Sequence, residues 1–138
     1  MKVSEVMTCG VEKISQEETL DQAAKLMRFH NVGILPVVDG GAVVGVLTDR
    51  DIVTRAVAQD LRPGKTKVSD IMTPDVVLCY ADQSIADASQ LMETHLIHRV
   101  IVLDRNEELA GIVSLSDIAA KAKDEKLSGH VLGQVEPA

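Results

Sequence analysis

The sequence predicts an α+β protein in which two β-α-β-β-α repeats pack as a pseudo-twofold pair. The first observation is an internal repeat, because Val3–Thr8 (VSEVMT) returns as Val68–Thr73 (VSDIMT) at an offset of 65 residues (68 − 3). The second is that each copy combines short apolar runs of strand length with segments of helical apolar spacing. A period this long that occurs only twice favours a pair of units over a solenoid, which needs three or more stacked repeats.

Composition defines the expected core and excludes two classes of partner. Apolar residues make up 46% of the 138 residues, yet the chain has one Phe, one Tyr and no Trp. We therefore expect an aliphatic core with many strands. The formal charge of −7 argues against general binding of nucleic acid or of an anionic membrane surface, because both need clustered Lys and Arg.

The lengths of the apolar runs indicate where the protein is located, and the spacing of the two cysteines indicates whether they bind metal or form a disulfide. No apolar run reaches the length of a signal peptide or of a membrane span, so we expect a cytoplasmic protein without a membrane segment. Cys9 and Cys79 lie outside any C-x-x-C pattern. Neither a zinc site nor a disulfide is predicted from them, and we expect both thiols to be buried.

Each element of the first repeat has its own local pattern. A strand is predicted at Val11–Ile14, and Thr19 with Gln22 has the spacing of a helix cap. The helix that follows is expected to run from Leu20 to about Phe29 and to stop at Asn31. The remaining elements are the strands Ile34–Val38 and Val43–Leu47, the turn Asp39–Gly41 between them, and a helix from Asp49 to about Gln59.

The second repeat predicts the same order of elements. They are the strand Val76–Cys79, the helix Ile85–His95, the strand Arg99–Leu103, the turn Asp104–Glu108, the strand Leu109–Val113 and the helix Leu115–Lys123. The predicted domain limits are repeat one at 1–60, a linker at 61–67 and repeat two at 68–123. The segment 124–138 has little periodicity, so we expect it to fray unless a partner chain holds it.

One motif occurs in both repeats where a strand runs into a helix. It is Thr48-x-x-Asp51 in the first repeat and Ser114-x-x-Asp117 in the second. Such a turn directs free backbone N–H groups and two polar side chains toward one point, which suits an anionic ligand rich in hydroxyls. The same spacing is also that of a capping box, in which the hydroxyl and the acid satisfy the helix terminus. Both interpretations stay open at this point.

The whole pattern resembles a pair of CBS (cystathionine β-synthase) domains, also called a Bateman module. The resemblance covers about Val3 to Lys123 and rests on VGILPVVD followed by GVLTDRD, with both parts echoed in register in the second half. It implies two units that pack sheet to sheet and leave two related clefts that bind adenosine-containing ligands, most often AMP, ADP or ATP, and in some members S-adenosylmethionine or NAD. It also implies a homodimer.

The resemblance assigns ligand-binding roles by position. Asp51 and Asp117 would hold ribose hydroxyls, while Thr48 and Ser114 would contact ribose or phosphate. The full ligand-binding set that it implies is Ile34, Pro36, Thr48, Arg50, Asp51, His98, Arg99, Ile101, Ser114, Ser116 and Asp117.

Several residues of that set differ between the two repeats. His98-Arg99-Val100-Ile101 resembles the family's His-Arg-x-Pro pattern with Ile101 in place of Pro, and His98 and Arg99 are the phosphate candidates. A solvated strand entrance is the alternative for this pair. Arg50 has Ser116 as its equivalent, so the two clefts are expected to bind with unequal affinity.

Three hypotheses for function follow. The first is a regulatory module that senses an adenine nucleotide and signals to a separate effector protein. The second is a structural dimerisation module with vestigial clefts, and the third is an enzyme. No nucleophile stands beside a base and no phosphate-binding loop is present, so no catalytic residue is predicted. His95 and His98 lack an acid or Cys to complete a metal site, so no metal is predicted either.

Overall fold

The computed structural model describes residues 1–121 and residue 123 and shows the predicted α+β architecture, with two three-stranded sheets and their helices. The chain forms two compact units. The repeat-one unit consists of Gly10–Val76 and Asn106–Leu109. The repeat-two unit consists of Met1–Cys9, Val77–Arg105 and the described residues from Ala110 onward.

The sheet of the repeat-one unit has the strand order β1-β2-β3. Strand β1 runs parallel to β2, and β2 runs antiparallel to β3. The elements are β1 (Ile14–Ser15), α1 (Leu20–His30), β2 (Ile34–Asp39), β3 (Ala42–Thr48), α2 (Asp49–Asp51), a π turn (Ile52–Ala56), two 3-10 turns (Val57–Gln59 and Pro63–Lys65) and α3 (Val68–Ile71).

The sheet of the repeat-two unit has the order β4-β5-β6, with β4 parallel to β5. Its elements are a 3-10 turn (Val3–Glu5), β4 (Leu78–Tyr80), α4 (Ile85–His95), β5 (Arg99–Leu103) and β6 (Leu109–Ser114), and residues 115–121 are helical. Helix α4 begins where predicted because Ser84 and Asp87 form a capping box, in which each side chain accepts from the backbone N–H of the other residue.

Each unit buries its own aliphatic core. The central side chains Leu20, Leu35 and Leu47 of the repeat-one unit are 0% exposed. In the repeat-two unit the core forms around Val100, Val102 and Val113, together with Ala88 and Met92 of α4. The prediction of a core without large aromatic side chains is therefore confirmed, since Phe29 is 84% exposed.

The compact units do not coincide with the two sequence repeats, because the Met-Thr segments attach to the other half of the chain. Thr8 exchanges two backbone hydrogen bonds with Ile112 (2.8 and 3.1 Å), within the repeat-two unit. Thr73 does the same with Val46 (3.0 and 2.9 Å) within the repeat-one unit. The predicted limits at 1–60, 61–67 and 68–123 describe the repeats, and as domain limits they stay a prediction.

Two glycines make room for these segments. A Cβ atom at Gly111 would lie 2.4 Å from the carbonyl oxygen of Thr8, and one at Gly45 would lie 2.6 Å from the sulfur of Met72. A side chain at either position would meet the chain that runs beside the strand.

Several local expectations need correction. The first strand is Ile14–Ser15 rather than Val11–Ile14, because β1 pairs only where Ile14 and Ser15 face Val37 and Val38. The strand predicted at Val76–Cys79 is likewise Leu78–Tyr80, since its partners are Ile101, Val102 and Leu103. The helix after Asp49 reaches Gln59, but a π turn and a 3-10 turn replace most of its α-helical turns.

Side-chain expectations also change at two positions. The Thr19 hydroxyl donates to the Asp21 carboxylate instead of capping α1. The prediction that both thiols are buried is wrong for Cys9, which is exposed, and right for Cys79. Burial raises the pKa of the Cys79 thiol to about 11, so this thiol stays protonated near neutral pH. The expectation for the segment 124–138 lies outside the described residues.

Among residues 1–121 and 123, no helix is both long enough and apolar enough to cross a membrane.

Candidate functional site

One face of the repeat-one sheet gathers several of the predicted ligand-binding residues. Leu35 and Val37 point into the core, and Ile34 and Pro36 alternate with them along β2. Ile34 stands directly opposite Thr48 of β3 in the strand register. Residues paired in this way project to the same face, so Ile34, Pro36 and Thr48 share the sheet face opposite Leu35 and Val37. Ile34 and Thr48 are partly exposed there, whereas the predicted ligand-binding residue Pro36 is fully buried.

The end of β3 carries the first of the two motifs. The Asp51 backbone N–H donates to the Thr48 hydroxyl at 3.0 Å, and the Thr48 backbone N–H donates to Oδ2 of Asp51 at 3.0 Å. The structure therefore forms the capping box that the sequence allowed, with the Asp51 side chain only 14% exposed. A cap uses one oxygen of the carboxylate and one lone pair of the hydroxyl, so it leaves acceptor capacity for a ligand.

The second oxygen of Asp51 faces an arginine that the sequence analysis did not assign to the site. Oδ1 lies 3.8 Å from Nε of Arg55, a distance that brings the two charges together without a hydrogen bond. Nη1 of Arg55 donates to the carbonyl oxygens of Ile71 (3.1 Å) and Met72 (3.4 Å) and to the Thr73 hydroxyl (3.2 Å). The spacing of Asp51 and Arg55, four residues apart on a helix, was the available indication of this contact.

The second motif has the same geometry in the repeat-two unit. The Asp117 backbone N–H donates to the Ser114 hydroxyl at 3.0 Å, and the Ser114 backbone N–H donates to Oδ2 of Asp117 at 2.9 Å. Ser114 ends β6 as Thr48 ends β3. Each unit thus presents one half-buried carboxylate at the end of a strand.

The residue that follows each capping hydroxyl, and the residue whose carbonyl accepts from its N–H, differ between the units. In the repeat-one unit the Asp49 N–H donates to the Gly33 carbonyl at 2.9 Å, and a Cβ on Gly33 would lie 2.9 Å from an Asp49 carboxylate oxygen. In the repeat-two unit Leu115 donates to the His98 carbonyl at 2.8 Å. A glycine and an acid in one unit are therefore replaced by a histidine and a leucine in the other.

The cations predicted to meet phosphate lie in different units. Arg50 is exposed in the repeat-one unit, one residue before Asp51. His98 and Arg99 are exposed at the entrance of β5 in the repeat-two unit, whereas Ile101 of the same strand is 3% exposed. The equivalent of Arg50, Ser116, is exposed as well. The candidate cation Arg50 thus belongs to the unit of Asp51, and His98 and Arg99 belong to the unit of Asp117.

His98 also borders an apolar cleft of about 410 Å³. Its other walls come from the end of α4 and the start of the helix that follows β6, and the lining residues are Ser89, Met92, Glu93, Leu96, Ile97 and Leu115. The His98 side chain therefore lies next to a mainly aliphatic surface, which is consistent with the alternative of a strand-entrance residue as well as with a ligand contact.

In residues 1–121 and 123 there is no group of three or more His, Cys, Asp or Glu side chains placed to hold a metal ion.

Comparison with known proteins shows the family. The family model described as "CBS domain" matches residues 3–58 and 68–124. The chain is 42% identical over 133 residues to the CBS domain-containing protein YhcV of Bacillus subtilis, covering 96% of this chain and 94% of that protein. YhcV is therefore about as long as this chain.

Two solved structures share the fold and more than a quarter of the sequence. The CBS domain pair of protein MJ0100, in complex with 5-methylthioadenosine and S-adenosyl-L-methionine, superposes with a TM-score of 0.80 at 28% identity, covering 91% of this chain and 98% of that one. Hypoxic response protein I with two coordinated zinc ions gives a TM-score of 0.78 at 35% identity, covering 87% and 98%. The chain therefore belongs to the CBS domain family and is a CBS pair, a regulatory ligand-binding module.

Proposed function

We propose that this CBS pair senses an adenosine-containing nucleotide, with AMP, ADP or ATP as the ligand, and signals its occupancy to a separate effector protein. The observation that carries the proposal is the repeated carboxylate. Asp51 and Asp117 each use Oδ2 in a helix cap, and within the described residues neither Oδ1 accepts a hydrogen bond. Two identical half-used acceptors at strand ends suit a ligand that brings adjacent hydroxyl groups.

The chemistry of ribose fits this arrangement. A free carboxylate oxygen accepts from a ribose hydroxyl, and the hydroxyl of Thr48 or Ser114 still has a proton to donate after its oxygen has accepted from the backbone. In the repeat-one unit the partly exposed Ile34 adds apolar surface on the same face as Thr48, suitable for a base or ribose edge, whereas Pro36 on that face is buried. Arg50 is the cation available to a phosphate there.

The structure of the MJ0100 pair supports the adenosine part of the proposal, because its two ligands are both adenosine derivatives that carry sulfur. It also favours a second candidate, S-adenosylmethionine, as the ligand of this chain. NAD is the third member of the same class. A structural dimerisation module with vestigial clefts is the outcome if none of these compounds binds.

A thermal-shift panel tests the proposal. The melting temperature is measured in buffer and with each ligand at about 1 mM, the ligands being AMP, ADP, ATP, NAD, S-adenosylmethionine and adenosine. A ligand present at 100 times its Kd stabilises the native state by about 2.7 kcal/mol. We expect the largest increase in melting temperature with an adenine nucleotide. A larger increase with S-adenosylmethionine would transfer the proposal to that ligand, and no increase with any compound would contradict ligand sensing.

Phosphate recognition has a separate test in Arg99. If Arg99 contacts phosphate, AMP and ATP bind more tightly than adenosine, and the Arg99→Ala variant loses most of that difference while its affinity for adenosine stays close to the parent value. Calorimetry at low and high salt is the measurement, since salt screens the phosphate contribution and leaves the adenosine contribution. Equal affinities for all three ligands, insensitive to Arg99, would identify His98 and Arg99 as a solvated strand entrance.

The same proposal includes a homodimer. The sequence predicts a dimer surface from apolar helix residues, namely Ile52, Val53, Ala56 and Val57 in the first repeat and Ile118, Ala119 and Ala122 in the second. Ala56 and Ile118 instead lie in the cores of their own units, whereas Val53 and Val57 are 58% and 57% exposed. Exposed valines four residues apart on one helical segment form a stripe that a second copy would cover. We expect a Val53→Ser/Val57→Ser variant to shift from dimer to monomer in light scattering at tens of micromolar. A monomeric parent protein would contradict the dimer.

No catalytic role is proposed. The described site contains carboxylates, hydroxyls and cations but no nucleophile placed beside a base, and the match to the CBS domain-containing protein YhcV extends over 94% of that protein. We propose that the protein works in the cytoplasm, acts on its effector by binding, and needs no cofactor.

A further inference from the structure

We infer that Arg55 is a positioning residue that links the Asp51 carboxylate to the segment Ile71–Thr73, and that it thereby passes the state of the ligand site to the chain that enters the repeat-two unit at Val77. The part of this inference that concerns a bound ligand rests on the proposed function. The part that concerns the charge of Asp51 rests only on the geometry of the repeat-one unit.

Arg55 lies between the Asp51 carboxylate and the segment Ile71–Thr73 and contacts both. Its Nε faces Oδ1 of Asp51 at 3.8 Å, the oxygen that the cap leaves available. Its Nη1 donates to three oxygens of Ile71, Met72 and Thr73, between 3.1 and 3.4 Å away. One planar guanidinium therefore contacts the site with one edge and the segment with another, which is a geometry that arginine permits and lysine does not.

The segment that Arg55 contacts also packs in the repeat-one unit, since Ile71 is buried in its core and Met72 packs against that core. Helix α3 ends at Ile71, so the carbonyl groups of its last turn need partners from outside the helix. Thr73 then exchanges two backbone hydrogen bonds with Val46 of β3. Four residues later, at Val77, the chain enters the repeat-two unit. Arg55 thus acts on residues that lie shortly before that crossing.

Arg55 also has space to move. Its side chain is 47% exposed and borders a cleft of about 490 Å³ whose other lining residues are Gln59, Leu61, Lys65, Thr66, Asp70 and Ile71. The π turn Ile52–Ala56 places Arg55 on a widened stretch of helix, and such turns occur often at functional sites. When a ligand covers Asp51 and excludes water, the attraction between Oδ1 and the guanidinium strengthens, and Arg55 is drawn away from the cleft toward its fixed position.

The first repeat differs from the second at this position. The motif offset of 66 residues (117 − 51) aligns Arg55 with Lys121, which offers a single ammonium group in place of a fork. The coupling is therefore expected in the repeat-one unit and weaker, or absent, in the other.

Amide hydrogen exchange by NMR tests the link without any ligand. The Asp51→Asn variant keeps an oxygen to accept from the Thr48 N–H but removes the charge beside Arg55. We expect it to speed exchange of the Thr73 and Val46 amides by about two- to fivefold, and we expect Arg55→Gln to speed it by about tenfold. In the Asp51→Asn/Arg55→Gln variant these amides should exchange no faster than in Arg55→Gln alone. Arg55→Lys should keep only part of the protection from exchange that Arg55 gives.

Asp117→Asn is the matched control, because it removes the same charge from an identical cap in the other unit and should leave the Thr73 amide unchanged. The inference is overturned if Asp51→Asn has no effect on these amides, or has the same effect with and without Arg55.

A second arm adds saturating AMP to the parent protein and to Arg55→Gln. We expect AMP to slow Thr73 and Val46 exchange severalfold in the parent and to bind Arg55→Gln without slowing it. If AMP and the other adenosine compounds bind neither protein, the proposed function fails, while the ligand-free comparison still decides the role of Arg55. Slower exchange in both proteins would show that the ligand reaches the segment without Arg55.

Discussion

The Gly111→Ala variant is expected to lose about 3 kcal/mol of unfolding free energy. The added Cβ would lie 2.4 Å from the Thr8 carbonyl oxygen and 3.1 Å from the Met7 sulfur, and the first of these atoms belongs to the backbone. Thr8 is fixed there by two hydrogen bonds to Ile112. Relief of the contact therefore requires the N-terminal segment to move off β6, which costs the two bonds and the burial of Val3 against the repeat-two core.

Gly45→Ala is the matched control for this prediction. Its Cβ would meet the Met72 sulfur at 2.6 Å, the flexible part of a side chain, and the Thr73 carbonyl oxygen at 3.0 Å. We expect a smaller loss, about 1 kcal/mol, and partial rescue by Met72→Ala. Met7→Ala should not rescue Gly111→Ala in the same way.

Urea unfolding followed by circular dichroism is the measurement, because the chain has no Trp for fluorescence. Neither Gly45 nor Gly111 has a positive φ, so backbone strain cannot account for a loss at either position. If Gly111→Ala were as stable as the parent protein, the N-terminal segment would not lie against β6 in solution.

The attachment of Thr8 to β6 is also where prediction from the sequence reached its limit. The segments VSEVMT and VSDIMT are nearly the same, and so are the strands that receive them. Pairing Thr8 with β3 or with β6 would bury similar side chains and form the same backbone bonds. Local pattern therefore predicted both segments but could not decide which half of the chain each one joins.

Elements with strong local chemistry were predicted closely. Helix α4 has the predicted bounds, because the Ser84 cap fixes its start and His95 its last turn. Strand β5 also has the predicted bounds. The short strands β1 and β4 were misplaced, since their limits depend on which residues of the neighbouring strand remain available for pairing. The π turn at Ile52–Ala56 had no indication in the sequence, because its apolar spacing also suits an ordinary helix.

The candidate site was predicted where it depends on a motif and missed where it depends on tertiary contact. Both Thr48 with Asp51 and Ser114 with Asp117 form the geometry that their spacing allows. Arg55 was missed because its main partners, the carbonyl groups of Ile71 and Met72, are 16 and 17 residues away and carry no side-chain pattern. The ligand-binding role of the whole set remains a prediction.

The largest expected effect on binding comes from Asp51. Removing the ribose acceptor leaves a desolvated ligand hydroxyl without a partner, so Asp51→Asn is expected to weaken adenine nucleotide binding to the repeat-one site by about 10- to 100-fold, equivalent to about 1.4 to 2.8 kcal/mol. Because Asn still offers an oxygen to the Thr48 N–H, stability should change little. Asp51→Ala removes the cap as well and should lose about 1 kcal/mol of stability in addition.

The chain supplies its own control for the cap. Ser84 and Asp87 form the same reciprocal box at the start of α4, with bonds of 3.1 and 3.3 Å, outside the predicted site. Asp87→Ala should therefore match the stability loss of Asp51→Ala without changing affinity. Calorimetry with AMP, and unfolding of the same variants, separates the two roles. If Asp51→Ala lowered stability as Asp87→Ala does and left both affinity and stoichiometry intact, the carboxylate would be a helix cap and the ligand would bind elsewhere.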